Sequence, residues 1–271
     1  MSKTTRSSED SQLTESWPKI LRIQPKTLLI IIGLWLLSAW SLFLAIDIAG
    51  WIDPELSRPV WMVLFNDRPV EWTQWLLLAI GAGSTGYLAG RLDSMGRAKQ
   101  SRFFLLLAIG FGLMLVEDAG DIRHVLNSEI ARLTGDEIFG IKRGFIVEAP
   151  YFLTLAAVPL YAIARYGKYV WQESNVRLYL FTGFIFYALA AGGSAISNLF
   201  HSYVVVGGFV DLVFLGGNLE PLPGRSQGFT YFLFTDSAIE ESVELIGLTL
   251  ILAAILAFIS NLRQKKGEKA A

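Results

Sequence analysis

LLIIIGLWLLSAWSLFLAI, residues 28–46, runs for nineteen residues without a charge and stops at Asp47. A helix rises 1.5 Å per residue, so this stretch is long enough to cross the roughly 30 Å apolar core of a bilayer. Five more uncharged runs follow: 73–90, 103–116, 149–164, 178–200 and 245–262, of 18, 14, 16, 23 and 18 residues. The two short ones reach spanning length only by taking in acids, Glu117, Asp118 and Asp121 after residue 116 and Glu148 before residue 149. The last run likewise takes in Glu244. The pattern predicts an all-α, six-span transmembrane helix bundle.

Composition agrees. Of 271 residues 53% are hydrophobic and only 17% are charged, against about 25% charged in a soluble domain. The net charge of −1 gives no basic footprint for nucleic acid. With no cysteine, disulfides, thiolate metal sites and a Cys nucleophile are excluded. The first run is too long for the apolar region of a secretory signal. It leads into Asp47-Ile48-Ala49-Gly50-Trp51 rather than a small-residue cleavage site, so it is expected to remain as a span.

Lys and Arg orient the bundle. Sixteen lie in the N-terminal segment, the loops after the second and fourth runs, and the C-terminal segment; seven lie in the other loops. The positive-inside bias then places both termini in the cytoplasm of a multi-pass inner (plasma) membrane protein. Residues 1–26 are expected to form a polar cytoplasmic tail, disordered over 1–16, with 27–262 the membrane domain and 263–271 a basic cytoplasmic tail. Trp51, Trp61, Trp72 and Trp75 bracket the first outer loop in the manner of interfacial aromatics. The outer segment 201–236 is expected to form a partly ordered cap, either a re-entrant hairpin or a short β-hairpin, with Asp211 at a turn. Ala82, Gly86 and Gly90, and Ala191 and Ala195, form small-residue stripes suited to close helix packing. Gly81-Ala82-Gly83-Ser84-Thr85-Gly86 spells a dinucleotide fingerprint by letter, but inside an apolar span it is a packing element. No phosphate-loop, nucleophile-elbow or His-Glu-x-x-His motif is present.

The acids carry the functional signal. A charge at mid-bilayer costs about 2.5–3.5 kcal/mol on insertion scales. In the six-span topology Glu117, Asp118, Asp121, His124, Glu148, His201, Asp236, Glu240, Glu241 and Glu244 fall at one level, on the extracytoplasmic side. Extending the third helix through Ile122 puts Glu117, Asp121 and His124 on one face at i, i+4 and i+7, with Asp118 turned about 100° away. Glu240 and Glu244 share a face at i and i+4, and Glu241 shares a face with Glu244 at i+3. Carboxylates with imidazole suit a divalent cation, and crowded carboxylates in a low dielectric suit proton handling. The candidate metal ligands are Glu117, Asp121, His124, Glu148, Glu240 and Glu244, with His201 a weaker one. The competing structural reading places Glu148, Glu240, Glu241 and Glu244 near helix N-termini, where the macrodipole favours anions, with Arg123, Lys142 and Arg143 as ion-pair partners.

The stretches Glu117-Asp118-Ala119-Gly120-Asp121-Ile122-Arg123-His124 and Glu240-Glu241-Ser242-Val243-Glu244-Leu245-Ile246-Gly247 together resemble a broad group of uncharacterised bacterial polytopic inner-membrane proteins. In that group an acid-acid…His motif ends one span and Glu-Glu-x-x-Glu opens the last. The group often has Glu directly after the His, where this chain has Val125. The resemblance implies a shared polar site and supplies no activity. Three functions stay open: binding of a divalent cation or protons, a metal-dependent membrane enzyme acting on a lipid or isoprenoid, and a structural or assembly role.

Overall fold

The computed structural model describes residues 18–51, 58–66, 69–135, 137–138, 141–171 and 174–270. The expected disorder of residues 1–16 lies outside them. The helices are α1 (Pro25–Phe43), α2 (Pro69–Ser94), α3 (Ala98–Gly120), α4 (Ile122–Thr134), α5 (Arg143–Tyr166), α6 (Ser174–Phe200), α7 (Ser202–Val210), α8 (Gln227–Phe234) and α9 (Glu241–Ala270). Among the described residues a two-residue antiparallel ladder, Glu137–Ile138 against Ile141–Lys142, lies between α4 and α5.

Among the described residues five stretches are long and apolar enough to cross a membrane: Pro25–Ile48, Ala98–Gly120, Arg143–Tyr169, Asn175–Ser197 and Gln227–Gln264. α2 has the length, at 26 residues, but Gln74 and the Gly/Ser/Thr stretch 81–86 dilute its apolar content. Among the described residues, then, the expected second span is a long helix that lacks the hydropathy of the other five. Ile30, Leu34 and Leu37 on α1, Leu153 and Leu160 on α5, and Leu178, Phe181 and Leu189 on α6 are all more than half exposed. Outward faces of this kind have lipid as their natural solvent. The chain is a multi-pass membrane protein.

The last helical stretch is the axis of the fold. Of its most apolar window 78% is buried, against 17–33% for the other four. It runs from α8 through a wide π turn, Thr235–Glu240, into α9 without a break. α8 begins at Ser226, whose Oγ accepts a hydrogen bond from the Phe229 N–H at 3.2 Å, a regular N-cap. The sixth run therefore starts some eighteen residues before residue 245, where the sequence shows an uncharged stretch beginning.

Three local features differ from the sequence expectation. First, α3 stops at Gly120 and Asp121 adopts a left-handed conformation (φ 48°, ψ 36°) before α4 starts. The helix does not continue through Ile122, so the shared face of Glu117, Asp121 and His124 does not exist. Second, residues 202–215 are helical, not a β-hairpin. The run is uniformly apolar without the alternation a half-buried strand needs, and it packs on α8, where a Cβ at Gly207 would sit 2.4 Å from the Tyr231 carbonyl oxygen. Asp211 does hold the following turn: it is buried, and its carboxylate accepts from Leu219 N at 2.9 Å and Tyr231 OH at 2.8 Å. Third, Trp61 is a core residue and not an interfacial one. Asp47 accepts from the backbone N–H groups of Val60 and Trp61 at 3.0 and 2.9 Å. That pins the short helical segment before α2 against the bundle. Trp61 then meets Phe234 edge-on at 5.5 Å, within a cluster that includes Trp40, Phe43 and Phe65. Trp51 and Trp72 do remain exposed.

Small residues set the closest helix crossings. Gly81 on α2 faces the Phe111 ring of α3, and Gly86 faces Ala108, whereas Gly90 meets nothing within 4 Å. A reciprocal close approach lies between α6 and α9: a Cβ at Gly183 would lie 2.8 Å from the Gly247 carbonyl oxygen, and one at Gly247 would lie 3.0 Å from that of Gly183. Gly247→Val should therefore lower stability by about 1–3 kcal/mol, the usual cost of overpacking, whereas Gly192→Val, with open space around it, should not. Thermal unfolding in detergent compares the two; equal effects would refute a backbone-to-backbone crossing.

Candidate functional site

Five helices and α4 enclose a cavity of about 280 Å³. α2 supplies Gln74; α3 supplies Glu117 and Asp118 at its C-terminal end and Leu107 and Phe111 two to three turns earlier; α4 supplies Arg123; α5 supplies Phe152, Pro159 and Leu160; α6 supplies Phe184 and Tyr187; and the last helix supplies Glu240, Glu241, Glu244 and Ile251. One end is thus crowded with acids and the other is wholly apolar.

Each acid is held differently. Gln74, which is 1% exposed, donates from Nε2 to Glu244 at 2.6 Å. Tyr203 OH donates to Glu240, and Tyr151 OH donates to Glu117. Asp118 and Glu241 have no such anchor: Asp118 Oδ2 and Glu241 Oε2 are buried without a hydrogen-bond partner, and so is Gln74 Oε1. Buried acceptors of this kind are rare in folded proteins.

Arg123 is the cation at the polar end. Its Nε lies 3.9 Å from Glu117, an η nitrogen donates to Ser194 Oγ at 2.7 Å, and its guanidinium stacks 5.0 Å from the Phe152 ring centre. Burial acts to lower its pKa. The surrounding carboxyls of Glu240, Glu148, Asp236 and Glu117 outweigh that and hold the pKa above its ordinary value, so the group stays charged.

The π turn positions the glutamates. It inserts its wide turn immediately before Glu241, and Thr235 Oγ1 donates to the Tyr203 carbonyl oxygen at 2.8 Å. Trp40 Nε1 donates to Ser242 Oγ at 3.0 Å and Ser237 Oγ to Asn66 at 2.7 Å. The far side of the helix is thereby tied to α1 and to the segment before α2, and Glu240, Glu241 and Glu244 face inward. π turns are concentrated at functional sites. The helix begins at Gln227, more than three turns before Glu240. The N-terminal macrodipole therefore does not account for Glu240, Glu241 or Glu244, because that effect fades within the first turn.

The structure brings together Glu117, Glu240 and Glu244 of the expected ligands. It does not place Glu148, Asp121 or His201 on the cavity. Glu148 is buried one layer behind, where Asn127 Nδ2 donates to it at 3.4 Å and Arg143 in turn donates to Asn127 at 3.0 Å. Asp121 and His201 are exposed and are the only non-glycine residues with positive φ among those described. Each occupies the corner between two helices, α3–α4 and α6–α7. Asp and His are enriched in the left-handed region, and this explains their presence without a ligand; His201 Nε2 is 3.5 Å from Lys142 Nζ. His124 belongs to α4 by its backbone, and its side chain lies outside the described residues. Among the described residues no three His, Asp or Glu side chains stand in an arrangement that could hold a metal ion.

Asp118, Gln74 and Tyr187 are site residues that a one-face helix argument passes over. Asp118 lies about 100° from Glu117, yet both line the cavity because the space at the end of α3 is wide. The available signal was Gln74, a lone amide in an apolar helix. Comparison of the chain with family models, curated proteins and solved structures found no match.

Two outcomes test these assignments by thermal unfolding. Arg123→Gln leaves the acids uncompensated and should cost about 3 kcal/mol, with partial recovery when Glu240→Gln is added; no recovery would mean that the guanidinium acts by packing alone. Asp121→Asn should be nearly neutral, whereas Asp121→Val should cost about 1–2 kcal/mol for a branched side chain in the left-handed region. The reverse order would restore a ligand role for its carboxylate.

Proposed function

We propose that this is a six-span inner-membrane protein, with both termini cytoplasmic and α2 as the least apolar span, whose acid-lined cavity holds a compensating positive charge, either protons or a cation. One observation carries the reading. Glu117, Asp118, Glu240, Glu241 and Glu244 line a single cavity with Arg123 as the only cationic lining residue among those described. Fully ionised, the five carboxyls would leave four negative charges uncompensated inside an apolar bundle. Ionised groups in a low dielectric stay buried only when paired or neutralised, and intramembrane acids are by default sites for protons or cations. The acids gather at one end of the cavity and apolar side chains line the other, which favours a one-sided binding site over a continuous polar conduction path.

A metal-dependent reaction on a lipid would ordinarily hold its ion through three protein ligands. The described residues offer no such trio, so the binding reading is the better supported one. Infrared spectroscopy of the purified protein at neutral pH, paired with elemental analysis, tests it. The expected result is a protonated-carboxyl stretch, or a cation released on acidification, that diminishes in Glu241→Gln and Asp118→Asn. If neither signal exists, the acids are solvated or structural and the reading fails.

A further inference from the structure

The cavity's other end says which kind of cation it suits. Resting on the reading above, we infer that the occupant is an organic ammonium carrying one short apolar tail, drawn from the bilayer through the side of the bundle, rather than a bare metal ion.

Four observations converge. The polar end presents three buried, unpartnered acceptors, Asp118 Oδ2, Glu241 Oε2 and Gln74 Oε1, beside two donors without a hydrogen-bond partner, Tyr187 OH and Arg123 Nε, so acceptors are in excess. A primary ammonium brings three N–H donors in one compact head, and the Tyr187 ring on the same cavity suits a cation, the Phe152 ring being taken by Arg123. An anion is excluded by the excess of carboxyls. A bare divalent ion would want several of these oxygens converging on one point, and no such group occurs among the described residues.

Below the acids the lining is Leu107, Phe111, Pro159, Phe184 and Ile251. Ten residues separate Leu107 from Glu117 on α3, and ten separate Glu241 from Ile251 on α9, so the apolar end extends about 15 Å from the acids. Water needs two to four polar partners to occupy a cavity, and this end supplies none, whereas an apolar tail fills it favourably. At about 280 Å³ the space is at the small limit of ligand pockets. It therefore suits a single short chain and not a two-chain lipid.

The entrance lies on α5. Leu160 lines the cavity and is also 56% exposed, so cavity and surroundings meet at that side chain. α5 is also the least buried of the five candidate spans, at 17%. The surroundings there are other exposed leucines, such as Leu153, which makes hydrocarbon, not water, the phase outside the opening.

Binding of tritiated octylammonium to the full chain in lipid nanodiscs tests the inference, with empty nanodiscs subtracting uptake by the lipid. Saturable binding is expected, competed by unlabelled octylammonium but not by octanol, which lacks the charge, or octanoate, which reverses it. Methylammonium, with the head alone, should compete at least about ten-fold more weakly. Glu241→Gln and Asp118→Asn should each weaken binding by about ten-fold or more. Leu160→Trp, which leaves every carboxyl in place, should slow association. If methylammonium or Ca²⁺, Mn²⁺ or Zn²⁺ competes as well as octylammonium, the site takes a bare cation and the inference is overturned. If octylammonium shows no saturable binding while the protonated-carboxyl or released-cation signal persists, the inference alone falls. Loss of both overturns the functional reading as well.

Discussion

Negative charge inside an apolar bundle is the constraint to which the rest of the molecule answers. Each of the tethered acids, Glu117, Glu240 and Glu244, has its own donor, from Tyr151, Tyr203 and Gln74 respectively. Arg123 reaches in from a helix that is not itself a candidate span. Those contacts require α2, α3, α4, α5, α7 and the last helix to end up around one space, so the arrangement of the helices and the electrostatics of the cavity cannot be varied independently. The two acids left without donors, Asp118 and Glu241, are where the balance stays open.

The last helix makes the arrangement possible. Apolar side chains on nearly all sides let it run through the centre of the bundle, and its outer flank is held by aromatic packing around Phe234 and by hydrogen bonds from Trp40 and to Asn66. The π turn sits between that anchored portion and the glutamates. Its wider hydrogen-bond spacing places Glu241 and Glu244 differently from where an uninterrupted α-helix would carry them.

Much of this was legible in the chain itself, and the failures have physical causes. Uncharged runs identify the helices because hydrocarbon tolerates little else, and the co-location of Glu117, Glu240 and Glu244 follows once those runs are stacked antiparallel. What pattern reading missed was local backbone geometry. Nothing in periodicity marks Asp121 as a corner, since Gly120-Asp121 can equally sit inside a helix of marginal propensity. The macrodipole explanation for the glutamates failed because the apolar stretch Phe229–Phe234, separated from residue 245 by Asp236 and three glutamates, looks like a separate segment when charges alone define boundaries. Asp118 was passed over by treating a helix as having one functional face, which holds for a flat contact and not at the rim of an opening.

The crossing of Gly183 and Gly247 has a mechanical implication. Where two backbones touch, neither helix can slide or tilt without breaking that contact, and Gly247 is only three residues from Glu244. α6 and the last helix therefore behave as a stationary jaw. The opposite wall, α5, carries Pro150 and Pro159 inside its helix, each removing a backbone hydrogen bond. Compliance is thus concentrated in one element, and any widening of the chamber must be a bending of that wall away from a rigid pair.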